Sequence, residues 1–508
     1  MPNAPDADKA LAHEWETAKH ASECESKFLR ESTRYPLTAF GDINTYAIFA
    51  ETFTAALRSE GRAGLIVPTG IATDDSTKTF FDYLVTKRRL VTLYDFENKS
   101  GIFPAVHRTT KFVLLTVGND TPKPRFAFFA TEIDHLADHN RVFTLSAEEI
   151  AHLNPNTRTC PVFRSSADAE LSKKIFANAP ILVDERAGDA GNPWGIRFVR
   201  MFDMSNDSDL FHTAGQLIEV GSQRVGANWV MKNGEVMVPL YEAKMFDLFD
   251  HRAASYESRG QERGYRVLPE TSAKDHENVR FLVEPFYWVA KTEVDGRLDN
   301  ISTRNWLLGF KDVSTPITKR SFVATLLPRA GVGNSMPLLI PSPNISAGSL
   351  ALLVSNLSAL PFDYVARQKI GRLHFNFFIV KQLPVLPPET YREPGRALIL
   401  PRVLELTYTA YEVKPFAEDL GYSGSPFQWD ADRRALLRAE LDAYYAYLYG
   451  LTRDELRYIL DPADVMGEDY PSETFRVLKN NEMKKFGEYR TRRLVLEAWD
   501  RMEAADLK

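Results

Sequence analysis

Cysteine is nearly absent. The 508 residues hold two, Cys24 and Cys160, which excludes a disulfide framework and a cysteine-rich zinc site. An excess of positive charge is also missing: Lys and Arg total 62 against 68 Asp and Glu, for a formal charge of -6. That excludes a uniformly basic nucleic-acid coat but leaves room for a local basic cleft, because contacts to phosphate depend on where cations cluster. No stretch reaches the roughly 18 uninterrupted apolar residues that a membrane span needs. The best candidate, Leu350 to Leu360, is broken by Ser355, Asn356 and Ser358 and ends at Pro361. Met1 to Ala12 lack the apolar core of a signal peptide, so a cytoplasmic protein without membrane partners is expected. Common catalytic signatures are missing too: there is no H-E-x-x-H, no Walker A loop, no G-x-S-x-G elbow and no G-x-G-x-x-G. The ten histidines are dispersed, and His374 beside Phe375 reads as a packed loop residue rather than a metal ligand. No metal is expected.

What is present, 44% hydrophobic and 26% charged residues, belongs to a globular chain with room for about three domains. Residues 1–30 read as a charged helical lead without a strong core face. From 31 to 140 helices and strands alternate. Tyr46, Phe49, Phe53 and Leu57 recur at helical spacing up to Gly61, and Ala63 to Pro68 reads as a short buried strand. Thr79 to Arg89 carries Phe80, Phe81, Leu84 and Val85 on a second amphipathic helix. Leu90 to Phe96, Phe112 to Val117 and Phe126 to Ala130 are strand-like. This predicts an α/β layer whose sheet lacks strands on its N-terminal side. Residues 141–388 are irregular and punctuated by Gly and Pro, as in an α+β domain with long loops. After Pro384, Pro387 and Pro388 the chain, 389–508, turns helical. Ala435 to Leu448 has an apolar face and ends at Gly450, and Thr452 with Glu455 forms a capping box.

Two short motifs compete for chemical meaning. Asn192-Pro193-Trp194 has part of an Asn-Pro-Pro-aromatic loop but lacks the second proline, and reads as a turn. Glu242 and Lys244 have the Glu-x-Lys spacing with which a metal-dependent nuclease presents both groups from one strand face. The upstream acid would be Asp203, Asp207 or Asp209, none of them in a Pro-Asp context.

A longer resemblance runs through Gly41-Asp42-Ile43-Asn44-Thr45-Tyr46, Ile66-Val67-Pro68-Thr69-Gly70, Leu93-Tyr94-Asp95-Phe96, Ile102-Phe103-Pro104-Ala105 and Lys111-Phe112-Val113. It continues in Pro193-Trp194-Gly195, Met201-Phe202-Asp203-Met204, Pro239-Leu240-Tyr241-Glu242-Ala243-Lys244-Met245-Phe246 and Asn376-Phe377-Phe378-Ile379-Val380-Lys381-Gln382-Leu383-Pro384. It ends in Leu448-Tyr449-Gly450-Leu451-Thr452 and Gly487-Glu488-Tyr489-Arg490-Thr491. In this order the segments resemble the C-terminal half of an Eco57I-like, type IIG-like N6-adenine DNA methyltransferase with a TaqI-like specificity domain. The resemblance implies a truncated Rossmann-like methyltransferase sheet, then an α+β target-recognition domain and a helical C-terminal tail.

The departures from that family weigh as much as the matches. Its S-adenosylmethionine site is a glycine-rich loop, and its adenine is held, flipped from the helix, by an Asn-Pro-Pro-aromatic loop. This chain encodes neither, so no catalytic or cofactor-binding residue is assigned to it. A missing N-terminal methyltransferase half, or an upstream chain, is the implied partner beside double-stranded DNA. By the resemblance Phe103 is the aromatic that contacts the flipped adenine. Basic residues interleaved with aromatics, namely Lys244, Arg252, Arg367, Lys369 and Arg372, are the expected DNA contacts. A DNA-specificity subunit that binds without catalysis is the alternative, and the Glu-x-Lys nuclease the second.

Overall fold

In the computed structural model residues 6–257, 267–370 and 373–505 are described. Arg372 lies outside them. The chain divides into two compact units, Met1–Glu170 and Leu171–Lys508.

The first unit is built on a five-stranded sheet in the order β1-β3-β2-β4-β5. The strands are β1 (Ala63–Pro68), β2 (Leu90–Glu97), β3 (Lys111–Val117), β4 (Arg125–Ala130) and β5 (Phe143–Thr144). β3 lies antiparallel to both of its neighbours, with Leu65 opposite Leu115 and Leu115 opposite Leu93. β4 runs parallel to β2, and β5 returns antiparallel. The strand-like runs of the sequence thus form one sheet, with β1 at its edge. The helix Lys78–Thr86 buries the expected Phe80, Phe81, Leu84 and Val85.

The helix Thr45–Ala55 corrects the sequence reading. Its buried residues are Ala47, Ile48, Ala50, Glu51 and Thr54, while Phe49 and Phe53 face outward. Small residues let the backbone approach closely, and Glu51 accepts hydrogen bonds from the Leu37 N–H and the Thr38 hydroxyl, which satisfies its buried carboxylate. The aromatic stripe that marks this helix in the sequence is its exposed side.

The first unit also extends past the expected boundary at 140. Phe143 packs edge-on against Phe163, with ring centroids 5.8 Å apart, and the Cys160 N–H donates to the Ala72 carbonyl. The lead helix, Asp6–Glu31, is exposed along nearly its whole length, as its lack of an apolar face predicts.

The second unit holds two further sheets. One has the order β10-β9-β8-β7, with β13 joining β9 in parallel; the other has the order β12-β11-β14-β6. Their strands are β6 (Ile196–Val199), β7 (Gln223–Val225), β8 (Asn228–Val230), β9 (Val236–Tyr241), β10 (Trp288–Ala290), β11 (Trp306–Phe310), β12 (Ala324–Pro328), β13 (Gly331–Val332) and β14 (Leu338–Pro341). The most apolar run of the sequence forms two buried helices, Ala347–Ser358 and Leu360–Lys369, bent by 60° where Pro361 opens the second. No described helix alone is long and apolar enough to cross a membrane.

The capping box at Thr452 is formed in both directions, and Gly450 takes the left-handed φ of +70° that ends the helix Ala431–Leu448. Asn192 closes its turn by accepting from the Ile196 N–H and donating to the Ile196 carbonyl, which buries Trp194.

Candidate nucleic-acid interface

Phe103 sits in the connection between β2 and β3. Asn98, fully buried, holds that loop: its side-chain amide donates to the carbonyls of Phe103 (2.9 Å) and Val106 (2.8 Å), and its carbonyl accepts from the Phe103 N–H (2.9 Å). The Phe103 ring lies edge-on to Phe112, 5.0 Å between centroids, and is only half-buried. Ile102 and Val106 beside it are exposed. One face of an aromatic ring is therefore anchored in the sheet while its loop stays fixed and open to solvent. That is the local geometry a base-stacking residue requires.

Near the same end of the sheet lies a constellation the sequence reading missed. Asp95 on β2 is buried and accepts from the Thr69 hydroxyl (2.5 Å) and the Phe129 N–H (3.3 Å). Burial pushes its carboxyl up to about 6, against the opposing pull of Thr69 and Lys111. Phe129 carries a left-handed φ of +58°, a strained conformation for an aromatic residue. Two cations lie over its ring, Lys111 Nζ at 4.5 Å and the Arg164 guanidinium at 4.1 Å from the centroid. The available signal was an aspartate inside an apolar strand.

The turn after β1 is packed by side chains: a Cβ on Gly70 would meet Asp74 Oδ2 at 2.5 Å and the Tyr46 hydroxyl at 3.1 Å.

The expected DNA contacts fare unequally. Arg252 has no exposed surface (0%). Its guanidinium donates to the carbonyls of Asn278, Phe281, His276 and Thr409, tying its own segment to residues 276–281 and to Thr409. Arg367 is equally internal, bound to Asp363 and to the carbonyls of Pro316, Thr318, Lys319 and Thr474. The expectation of phosphate contact does not hold for these two arginines, because their donors are spent on backbone oxygens inside the fold. Lys369 is half-buried over the Phe176 ring, and desolvation pulls its ammonium down to about 7, which leaves it only partly charged at neutral pH.

Lys244 lies 3.7 Å from Glu242 and over the Tyr256 ring. Glu242 itself accepts from the Tyr256 hydroxyl and follows the end of β9, so the pair does not project from one strand face as the nuclease reading expects. Among the described residues no group of three or more His, Cys, Asp and Glu is placed to hold a metal.

Exposed cations and aromatics do meet elsewhere in the second unit. Arg200, just past β6, stands over the Phe377 ring at 4.8 Å and within 3.7 Å of Asp312. Phe198 packs on Phe377, and Lys381 lies over Phe198. His374, expected to be packed, is half-exposed and pairs through Nδ1 with Asp312 Oδ2 at 3.0 Å. The sequence signal for this cluster was the Phe-rich segment His374 to Phe378. Its partners on β6 and in the loop from Asp312 are remote in sequence.

No protein-family profile matches the chain, and no curated protein does. Solved structures similar to it are restriction–modification enzymes. The type IIG restriction endonuclease BpuSI matches at 11% identity over 84% of this chain and 50% of that one, with a TM-score of 0.27. The type IIL enzyme MmeI in complex with DNA matches at 11% identity over 81% and 50%, TM-score 0.39. A DrdV–DNA complex matches at 11% identity over 93% and 53%, TM-score 0.33. The chain spans about half the length of these three. At such scores the likeness carries no argument about activity.

Proposed function

We propose that this chain acts on DNA as the recognition-bearing part of an adenine-N6 methyltransferase of the restriction–modification type, and that a second polypeptide segment supplies the cofactor loop and the Asn-Pro-Pro-aromatic loop. The observation that carries the reading is the Asn98-held loop, which presents Phe103 at the position the motif order gives to base contact. The lack of a glycine-rich cofactor loop and of an Asn-Pro-Pro-aromatic loop in the sequence supports the corollary that the isolated chain binds DNA without transferring methyl groups.

The test uses the purified chain with and without the product of the upstream reading frame. The chain alone is expected to bind duplex DNA with a salt-dependent affinity and to show no saturable binding of S-adenosylmethionine by calorimetry. The mixture is expected to methylate adenine. Phe103→Ala should abolish that methylation and leave duplex affinity within about twofold, since stacking on a flipped base contributes to a step after docking. Reconstituted methylation that survives Phe103→Ala would remove the base-contact role. Micromolar cofactor binding by the chain alone would overturn the split-enzyme reading.

A further inference from the structure

The connection from β2 to β3, residues 98–110, contains no acidic residue. Its ends are joined where the Asn98 N–H donates to the Thr110 carbonyl (3.0 Å), and the Asn98 side chain fixes Phe103 and Val106 from within. Three further bonds set the rest. The Val106 N–H donates to the Phe103 carbonyl (3.0 Å), the Thr110 N–H to the His107 carbonyl (3.0 Å), and the Arg108 guanidinium, through Nη1, to the Lys99 carbonyl (3.1 Å). The loop is exposed yet internally tied.

Arg108 differs from the other cations around it. Among the described residues no carboxylate pairs with it, and its bond from Nη1 leaves the edge formed by Nε and Nη2 free to donate. Lys99 and Lys111 share a single carboxylate, Glu97, at the foot of the loop. Asp95 beneath them is buried and accepts from the Thr69 hydroxyl and the Phe129 N–H. Positive charge is left over. His107 adds a directed donor, because its Nδ1 accepts from the Thr109 N–H (3.3 Å), which puts the ring hydrogen on Nε2 at an exposed position.

The Phe103 ring and the Arg108 fork hang from consecutive residues. Asn98 holds the Phe103 carbonyl, and Lys99, about 3.8 Å on between Cα atoms, holds Arg108. Ile102 and Val106, 37% and 40% exposed, flank the ring. An aromatic surface and an unpaired guanidinium are thereby fixed side by side on one rigid loop.

We propose that Arg108 binds the phosphate beside an unpaired base that stacks on Phe103, with the His107 Nε2–H as a second donor to that phosphate. The proposal deepens the reading of Phe103 as a base contact and rests on it. A nucleotide joins a flat base to an anion through one sugar, so a strand with one base out of its helix satisfies both groups at once. A protein carboxylate would pair with Arg108 but leave the ring in water. The consequence is that the chain by itself prefers DNA with an unpaired base over intact duplex.

The experiment measures binding of the full chain to a random-sequence duplex, fully paired or carrying one bulged adenine, across a salt series. The bulged duplex should bind roughly tenfold more tightly, the scale of one base stacked on an aromatic side chain. Phe103→Ala should remove most of that preference. Arg108→Ala should weaken binding of the bulged duplex about fivefold and lower its slope of log affinity against log salt by about one, with the paired duplex unchanged. A neutral methylphosphonate beside the bulge should cost the wild type about as much as Arg108→Ala does, and cost that variant nothing further. Arg125→Ala, an exposed cation at the opposite end of the sheet, should alter none of these. A wild-type chain that binds no DNA overturns the DNA reading and this contact with it. A preference that survives Phe103→Ala overturns the base contact and, with it, the proposal. Binding that ignores the bulge, or an Arg108→Ala variant that keeps the full slope and still responds to the methylphosphonate, overturns the phosphate contact alone. Competition by adenosine monophosphate at the concentration of the bulged duplex would assign the loop to a free nucleotide and overturn the strand contact.

Discussion

The sheet of the first unit holds a buried carboxylate, Asp95, with two hydrogen-bond donors, while the second unit buries arginines that each bind several backbone carbonyls. Asp95 has two neutral donors and a distant lysine, too little to offset burial, and its carboxyl rises to about 6. Arg252 and Arg367 are as deeply placed, yet each meets several carbonyl oxygens and a nearby carboxylate. The lesson is that burial alone does not tell strain from scaffolding. The partner set does. Desolvation moves all three groups from their ordinary values, Asp95 up and Arg252 and Arg367 down, and what sets the arginines apart is the number of backbone carbonyls each one binds.

That contrast can be broken experimentally, most severely at the arginines. Arg252→Met leaves the carbonyls of Asn278, Phe281, His276 and Thr409 without their donor, and should cost about 3–5 kcal/mol in urea denaturation. A loss below about 1 kcal/mol would show that the staple is dispensable.

Asp95 should reveal itself through pH. Its folded value of about 6 lies above the unfolded value of about 3.9, so the folded state holds the proton more tightly. The stability this contributes is present in full below about pH 4 and is lost as pH rises through about 6, a change of about 3 kcal/mol. Asp95→Asn should remove that fall and flatten the stability profile over the same window. An unchanged profile would mean that the carboxyl is not the group responsible.

Asn98→Ala should cost about 2 kcal/mol and loosen the Phe103 loop, measured as faster amide exchange at residues 101–106. Unchanged exchange would mean that the loop is held by its aromatic packing instead. The smallest effect is expected on the outer face of the helix Thr45–Ala55. Phe49→Ser with Phe53→Ser should alter stability by less than about 0.5 kcal/mol while reducing aggregation, because these rings are exposed. A large loss of stability would return the aromatic stripe to the core.

The elements most legible in the sequence are those whose pattern is purely local. β2 and β3, the helix Lys78–Thr86 and the capping box at Thr452 depend on apolar runs, periodicity and a three-residue spacing, and each forms as the sequence predicts, whereas β1 forms as a strand but, at the sheet edge, leaves Ile66 exposed where a buried strand is expected. The turn at Asn192 belongs with them, since its two hydrogen bonds span four residues. The helix Thr45–Ala55 marks the limit. Periodicity located it, but the more apolar stripe is the exposed one, because close packing there favours alanines and a paired Glu51 over phenylalanines.

Charge is where sequence alone stops. An arginine beside aromatics reads the same whether its guanidinium meets water, phosphate or a carbonyl from elsewhere in the chain, and Arg252 reaches a partner as far away as Thr409. Only the tertiary structure brings Arg200, Asp312, His374 and Phe377 into one cluster and turns Arg252 and Arg367 inward. Local propensity is written in neighbouring residues. The environment of a charge is set by segments hundreds of residues apart, and that environment decides whether it binds or braces.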